Sequence, residues 1–208
     1  GATEGYEGFK VSVLNSSFAT VATSGNVVIK DGAESGQTFS LTTSADSITG
    51  TSGNDTINGA VGTDGLSANG TSLAAGDVID GGAGTDILNV SVSGTDSAVG
   101  GTPITVSAVT LNNVETVSVS NFETTTDNTS FNMAQASGVE TIALANSAST
   151  GDTDFTSVGN IVSAKMSNGQ GDLGIAYTAS VVAAAADSQT LTLNNVAANA
   201  ANTGVATF

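Results

Sequence analysis

The sequence contains no cysteine, histidine or tryptophan, and it has one proline, two tyrosines and seven phenylalanines. Without cysteine there can be no disulfide framework, no thiolate zinc site and no cysteine nucleophile. Without histidine there is no imidazole base, no imidazole metal ligand and no Ser-His-Asp triad. Because the commonest catalytic groups are absent, we expect that the chain is not an enzyme.

Positive charge is also scarce, since three lysines (Lys10, Lys30 and Lys165) stand against 19 acidic residues and the net charge is −16. Three scattered cations cannot form a phosphate-binding surface, so we expect no nucleic-acid partner. The longest apolar run, residues 181–186, is far shorter than the roughly 20 residues that a membrane span needs. We therefore expect no transmembrane segment. From the start at Gly1 without a signal-like segment we expect a fragment or a processed product.

What the sequence does contain is a nonapeptide repeat built around aspartate. The aspartates are spaced 9, 9, 13 and 9 residues apart, and an apolar residue follows each of them two positions later. The best copy, residues 81–89, matches the pattern G-G-x-G-x-D-x-U-x at every fixed position. The repeated aspartates are Asp46, Asp55, Asp64, Asp77 and Asp86. Such a repeat predicts short parallel strands separated by sharp glycine turns.

The residue types of this repeat suit a hard dication. One large apolar side chain per nine residues gives a thin core, which cannot offset a backbone ordering cost of roughly 1–2 kcal/mol per residue. Calcium binds six to eight oxygen ligands from carboxylates and backbone carbonyls, and stacked turns can supply both. Since successive turns alternate sides, we expect copies two apart to share an ion, pairing Asp55 with Asp77, and Asp64 with Asp46 or Asp86. The predicted metal-site residues are Asp46, Gly50, Ser52, Gly53, Asp55, Gly59, Val61, Gly62, Asp64, Asp77, Gly81, Gly82, Ala83, Gly84 and Asp86. Turns that bind no metal are the alternative.

This repeat resembles the calcium-binding repeats of RTX proteins. The segments Asn113-Val114-Glu115-Thr116-Val117 and Gly138-Val139-Glu140-Thr141-Ile142 resemble strands that follow the repeats in type-I-secreted surface-layer (S-layer) proteins of Gram-negative bacteria. The resemblance covers roughly residues 41–208. It implies a structural protein that is secreted to the bacterial cell surface and assembles with calcium into a lattice of identical copies. A cell-surface polysaccharide, bound through a region outside this chain, is a further expected partner.

The expected fold is all-β, with a parallel β-roll continuing into an irregular β-solenoid or β-helix. We expect three segments: a β-hairpin that ends an upstream domain (1–40), the calcium-binding roll (41–92) and a solenoid assembly domain (93–208). Glu115 and Glu140 could be paired catalytic carboxylates, but equivalent positions in two repeats favour capping of backbone donors or calcium binding. Asp152, Asp154 and Asp172 could form a further calcium site, although a solvated loop is the commoner explanation.

Two other functional classes stay open. The chain could be a segment of a large RTX adhesin, acting as a calcium-rigidified spacer or cell-contact module. It could also be the non-catalytic tail of a secreted enzyme whose catalytic domain lies elsewhere. A lattice protein should self-assemble with calcium, whereas an adhesin segment should fold with calcium and stay monomeric.

Overall fold

The computed structural model describes residues 7–10, 12–23, 27–29, 34–62, 70–93, 104–124, 128–183, 187–196 and 206–207. The chain divides into two compact units, Gly1–Ser35 and Gly36–Phe208. Among the described residues there are strands and turns but no helix. The strands are β1 (Glu7–Phe9), β2 (Ser12–Leu14), β3 (Thr20–Thr23), β4 (Val27–Ile29), β5 (Thr38–Ser40), β6 (Ser47–Thr49), β7 (Thr56–Val61), β8 (Val78–Asp80), β9 (Ile87–Val92), β10 (Ile104–Val106), β11 (Thr110–Asn112), β12 (Thr116–Asn121), β13 (Thr129–Asn132), β14 (Thr141–Ala145), β15 (Thr153–Val158), β16 (Ser163–Ser167), β17 (Leu173–Tyr177), β18 (Leu191–Asn194) and β19 (Ala206–Thr207).

The first unit contains two antiparallel pairs, β1 with β4 and β2 with β3. The β2–β3 hairpin bends at Phe18, which has a positive φ of 62°. Its turn is held by the side chain of Asn15, whose Oδ1 accepts the N–H groups of Ser17 and Ala19. The β2–β3 hairpin lies within residues 1–40, but β5 at the end of that range belongs to the second unit, and the role of this segment as the end of an upstream domain stays a prediction.

The second unit contains three parallel sheets. The seven-stranded sheet has the order β18-β16-β14-β12-β9-β7-β5, the five-stranded sheet β10-β13-β15-β17-β19, and the three-stranded sheet β11-β8-β6. The chain returns repeatedly to each sheet, adding one parallel strand at each pass. Residues 41–92 and 93–208 belong to the same compact unit and share the seven-stranded sheet. The all-β, mostly parallel character expected from the repeat is confirmed.

The core follows from period-two alternation along each strand, because every second side chain points to the same face of a sheet. Residues in register on adjacent parallel strands form columns that run across the sheet. One column of the seven-stranded sheet consists of Phe39, Ile57, Leu88, Val117, Ile142, Ala164 and Leu191. In the five-stranded sheet the rings of Phe131 and Phe155 stack with centroids 5.3 Å apart. Apart from Leu191, which is exposed, and Phe39, which is half-buried, the residues of these columns belong to one hydrophobic core.

Candidate metal centre

Acidic residues stand at equivalent places directly before the strands of the seven-stranded sheet. Thr56 is in register with Ile87, Ile87 with Thr116, and Thr116 with Thr141. The residues one position earlier are Asp55, Asp86, Glu115 and Glu140. Glu115 and Glu140 therefore occupy the position that aspartate has in the nonapeptides. We call this set the carboxylate column.

Three side chains of the carboxylate column accept hydrogen bonds from backbone N–H groups directly before the preceding strand. Asp55 Oδ1 accepts the N–H of Gln37 at 2.6 Å, and Asp86 Oδ1 accepts the N–H of Asp55 at 2.6 Å. Glu115 Oε2 accepts the N–H of Asp86 at 2.7 Å. Glu115 thus caps a backbone donor, as the non-catalytic interpretation of this residue expects. Each such bond ties two passes of the chain together.

A second set of the same kind precedes the three-stranded sheet, where Asp77 Oδ1 accepts the N–H of Asp46 at 2.9 Å. The predicted pairing of Asp55 with Asp77 is therefore wrong, because Asp55 lies beside Asp86 and Asp46 beside Asp77. The chain takes 31 residues to return to each of these positions. The rule of alternate copies expected neighbours 18 or 22 residues apart, but the connection between β7 and β8 is longer than one repeat. Asp64 lies outside the described residues.

Two of the aspartates have a threonine four residues earlier that donates to them. Thr51 N–H donates to Asp55 Oδ2 at 2.6 Å, and its hydroxyl lies 3.0 Å from Asp55 Oδ1. Thr42 does the same for Asp46, with the N–H at 2.7 Å and the hydroxyl at 3.0 Å. Asp86 has Gly82 at this position, so no hydroxyl can reach it, and the N–H of Gly82 donates to Asp80 instead.

Asp86 is the member of the carboxylate column with an unsatisfied oxygen. Its side chain is 1% exposed, and its Oδ2 atom is buried without a hydrogen-bond partner. Burial raises the pKa of the Asp86 carboxyl. The hydrogen bond from Asp55 N–H opposes this rise, while the negative charges of Glu115, Asp55 and Asp80 add to it. A cation next to Oδ2 would satisfy the orphaned oxygen and offset this repulsion.

Asp55 is as buried as Asp86, but its pKa is shifted in the opposite direction. Burial alone would raise its pKa, but the N–H groups of Gln37 and Thr51 and the Thr51 hydroxyl lower it below the usual value. Its charged form is therefore already stabilised by protein donors. The two neighbouring aspartates differ because one has a complete set of donors and the other does not.

Glycine makes room for the stacking of the two turns that precede β7 and β9. Gly82 has a φ of +93°, and any Cβ there would collide with the carbonyl oxygen of Thr51. That same carbonyl accepts the N–H of Ala83 at 3.0 Å. At Gly81 a Cβ would collide with the carbonyl oxygen of Asn113 and lie 2.6 Å from Asp86 Oδ2. Gly81 thus brings a backbone carbonyl and the orphaned carboxylate oxygen to one place.

The structure groups some of the predicted metal-site residues and separates others. Gly84 lies against Gly53, and Gly50 against Gly81, so the turns at 50–55 and 81–86 stack on each other. Ser52 and Ala83 belong to these turns. Gly59 and Val61 instead lie within β7, and Gly62 follows it, donating its N–H to Thr71 Oγ1 at 2.9 Å. In the described part of the chain, no three Asp or Glu side chains converge closely enough to hold a metal by themselves.

The residues present fit a hard cation at one point. Asp86 Oδ2 and the adjoining Asn113 carbonyl are oxygen donors of the type that calcium prefers, and the surrounding charge is negative. Such an ion would draw mainly on backbone carbonyls and Asp86, since both oxygens of Asp55 and the Oε2 atom of Glu115 accept N–H groups. The stacked turns at 50–55 and 81–86, with Asp86 Oδ2, form what we call the candidate metal centre.

Asn121 is the centre of a buried polar cluster that the sequence analysis did not predict. Asn121, fully buried at the end of β12, donates to the carbonyl of Asp152 and accepts the N–H of Glu123. Sequence reasoning missed this cluster, because Asn121 follows an alternating run whose column neighbours, Val61 and Val92, are apolar. The signal was a polar residue at a position where the periodicity expects an apolar one.

The aspartates proposed as a further calcium site lie along the outer face of the five-stranded sheet. They line a groove of about 560 Å³. Asp152 Oδ1 accepts the N–H of Asp172 at 2.8 Å, and Asp154 Oδ2 accepts the side-chain amide of Asn128 at 2.8 Å. Asp152 and Asp172 therefore stand directly before the adjacent strands β15 and β17, and Asp154 lies within β15; a calcium site at this groove stays the less favoured of the two predictions.

Among the residues that the structure describes, no helix has the length and hydrophobicity that crossing a bilayer requires. Comparison of the chain with protein-family models, with curated proteins and with solved structures finds no match.

Proposed function

We propose that the chain is a structural, non-enzymatic protein of the bacterial cell surface, which is secreted and assembles into an S-layer in the presence of calcium. In this proposal the parallel strands wind as a β-roll that continues into a β-solenoid. The single observation that supports it best is the buried and unpartnered Oδ2 of Asp86, a carboxylate that is also repelled by the negative charges of Glu115, Asp55 and Asp80.

The chemistry of the candidate metal centre links a cation to folding. Calcium would neutralise the charge that otherwise accumulates where two turns stack. The protein's own part is to hold Asp86 through its hydrogen bond to Asp55 and to keep a side chain away from position 81. The net charge of −16 works in the same direction, because repulsion among carboxylates disfavours the compact state until cations reduce it.

A calcium titration after chelation, followed by circular dichroism and light scattering on one sample, tests this proposal. A calcium-driven rise in β-structure or melting temperature, followed by growth of large particles, is the expected result. Stabilisation without particles would favour the adhesin spacer instead, and no response to calcium would overturn the proposal.

A matched pair of variants assigns the response to the candidate metal centre. Asp86→Asn removes the orphaned carboxylate oxygen, whereas Asp187→Asn removes one carboxylate from an exposed position. We expect the first variant to weaken calcium stabilisation and the second to leave it unchanged. Equal calcium responses in both variants and the wild type would place the ion elsewhere.

A further inference from the structure

The end of the seven-stranded sheet formed by β18 leaves its apolar side chains uncovered. Leu191 is in register with Ala164, and Leu193 with Met166. Ala164 and Met166 are 0% and 3% exposed, whereas Leu191 and Leu193 are 42% and 56% exposed. The two leucines therefore continue buried columns of the core to a position where, among the described residues, no further strand covers them.

The backbone of β18 also has one edge that pairs with no strand in the described part of the chain. Ala164 N–H donates to the carbonyl of Thr190 at 2.8 Å, and Asn168 N–H donates to the carbonyl of Asn194 at 3.0 Å. In a parallel ladder, residues that bond to one neighbour alternate with residues whose N–H and C=O point the other way. The peptide groups of Leu191 and Leu193 therefore face away from β16. β18 is the last strand in the order of this sheet.

This edge lacks the features that usually prevent strands from associating. Residues 188–196 contain no charged residue and no proline. Lysine, proline and inward-pointing charge are the usual means of blocking an edge strand. In a chain with a net charge of −16, an uncharged segment is also where two copies can approach with least repulsion.

We propose that β18 is an interface between two copies of this chain, in which the two β18 strands pair antiparallel about a twofold axis at Thr192. This register places Leu191 of one copy opposite Leu193 of the other, so that their outward peptide groups bond and all four leucines cover one another. The opposite end of the sheet is less suited to receive β18, because Leu41 there is buried and Phe39 is half-buried. A twofold contact therefore matches the exposed apolar surface better than a head-to-tail one.

This inference deepens the proposed function, because it names one contact of the assembly, but its geometry needs no calcium. The two can fail separately. Dimers that persist in chelator would support the β18 interface whatever the calcium titration shows, and loss of the calcium response would leave the interface unaffected.

The first test compares the full chain with two lysine variants by light scattering coupled to size-exclusion chromatography, in chelator. Leu193→Lys places a charge at the centre of the interface, whereas Phe122→Lys removes another exposed apolar side chain, which is 46% exposed, far along the sheet order from β18. We expect dimers for the wild type and Phe122→Lys, and monomers for Leu193→Lys. A wild type that is folded but monomeric, or a Leu193→Lys dimer, would overturn the proposal. Circular dichroism checks that each variant is folded.

Disulfide formation at an introduced cysteine tests the register of the two β18 strands, and it can trap a dimer that is too weak to persist in chromatography. Because the chain has no cysteine, Thr192→Cys introduces one thiol per copy. Directly opposed residues of a non-hydrogen-bonded antiparallel pair have Cα atoms about 4.5 Å apart, within the range of about 4.4–6.8 Å that a disulfide accepts. Mild oxidation should therefore link Thr192→Cys into a covalent dimer. Linkage only when Thr192→Cys is mixed with Ser40→Cys would show head-to-tail contact and would contradict the twofold interface.

Discussion

The carboxylate of Asp86 accepts the backbone N–H of Asp55 at 2.6 Å, across 31 residues of sequence. The same contact recurs between Asp77 and Asp46, and between Asp55 and Gln37. Acidic side chains in this protein thus bind the backbone of the previous pass as well as offering oxygens to a cation. Stability and the proposed calcium response should therefore be separable by mutation.

Thr51→Val tests the donor side of this arrangement. The substitution keeps the shape of the side chain and removes the hydroxyl that donates to Asp55. Because a hydrogen bond to a charged group contributes about 1.5–3 kcal/mol, the free energy of unfolding should fall by about 1.5–3 kcal/mol. Urea denaturation measures this change. Thr105→Val, at an exposed strand position, is the control, and an equal loss there would show that the effect is not specific to Asp55.

Gly82→Ala tests whether the stacked turns need a close backbone approach. A methyl group at position 82 would collide with the Thr51 carbonyl oxygen, in addition to the strain of a φ of +93°. We expect a loss of about 2–5 kcal/mol, from backbone strain of about 1–2 kcal/mol together with overpacking.

Gly70→Ala separates these two contributions. Gly70 has a similar φ of +88°, but a Cβ there has no atom within 4 Å. The Gly70→Ala variant should therefore lose only the stability that backbone strain costs, about 1–2 kcal/mol. Thermal melts compare the two variants, and Gly82→Ala should have the lower melting temperature. Similar melting temperatures would show that the turns at 50–55 and 81–86 are not closely stacked.

The sequence predicted the strands of the repeat because apolar residues at a fixed phase after each aspartate define one face of a sheet. Ile57 and Leu88 do occupy one column. It could not predict which aspartates become neighbours, since this depends on the length of the connection between β7 and β8, where the repeat is interrupted. Glycines alone did not separate turn positions from strand positions either, and Gly59 lies inside β7.

The threonine donors could have been found by comparing the repeats at one position. Thr42 and Thr51 both stand four residues before an aspartate, whereas Gly82 stands there before Asp86. That difference, visible in the sequence, marks the aspartate whose oxygen is left without a partner. Its consequence needed the structure, because only burial makes a missing donor costly.

Asn121→Ala tests the buried polar cluster that sequence patterns missed. The amide of Asn121 bonds to Asp152, Thr153 and Glu123. Its removal leaves buried donors and acceptors unsatisfied, so unfolding should become easier by about 2–4 kcal/mol. Asn89→Ala, at a half-buried position on the outer face of the seven-stranded sheet, should change stability by no more than about 0.5 kcal/mol. Urea midpoints that shift equally for both variants would contradict a special role for Asn121.

The pH dependence of stability should carry opposite contributions from the two neighbouring aspartates. The lowered pKa of Asp55 stabilises the fold above the unfolded value of about 3.9, and this contribution is lost as the pH falls through the folded pKa. The raised pKa of Asp86 acts in reverse, because its contribution is complete below about pH 3.9 and is lost as the pH rises through the folded pKa.

In chelator, Asp86→Asn should therefore be more stable than the wild type at neutral pH, by roughly 1 kcal/mol, which is the order of one unsatisfied buried group. This excess should shrink toward pH 4, and calcium should reverse it by stabilising the wild type alone. Urea denaturation over a pH series, with Asp187→Asn as the charge-matched control, measures how the stability difference between Asp86→Asn and the wild type changes with pH. A variant less stable than the wild type at neutral pH in chelator would mean that the orphaned oxygen of Asp86 is not a source of instability.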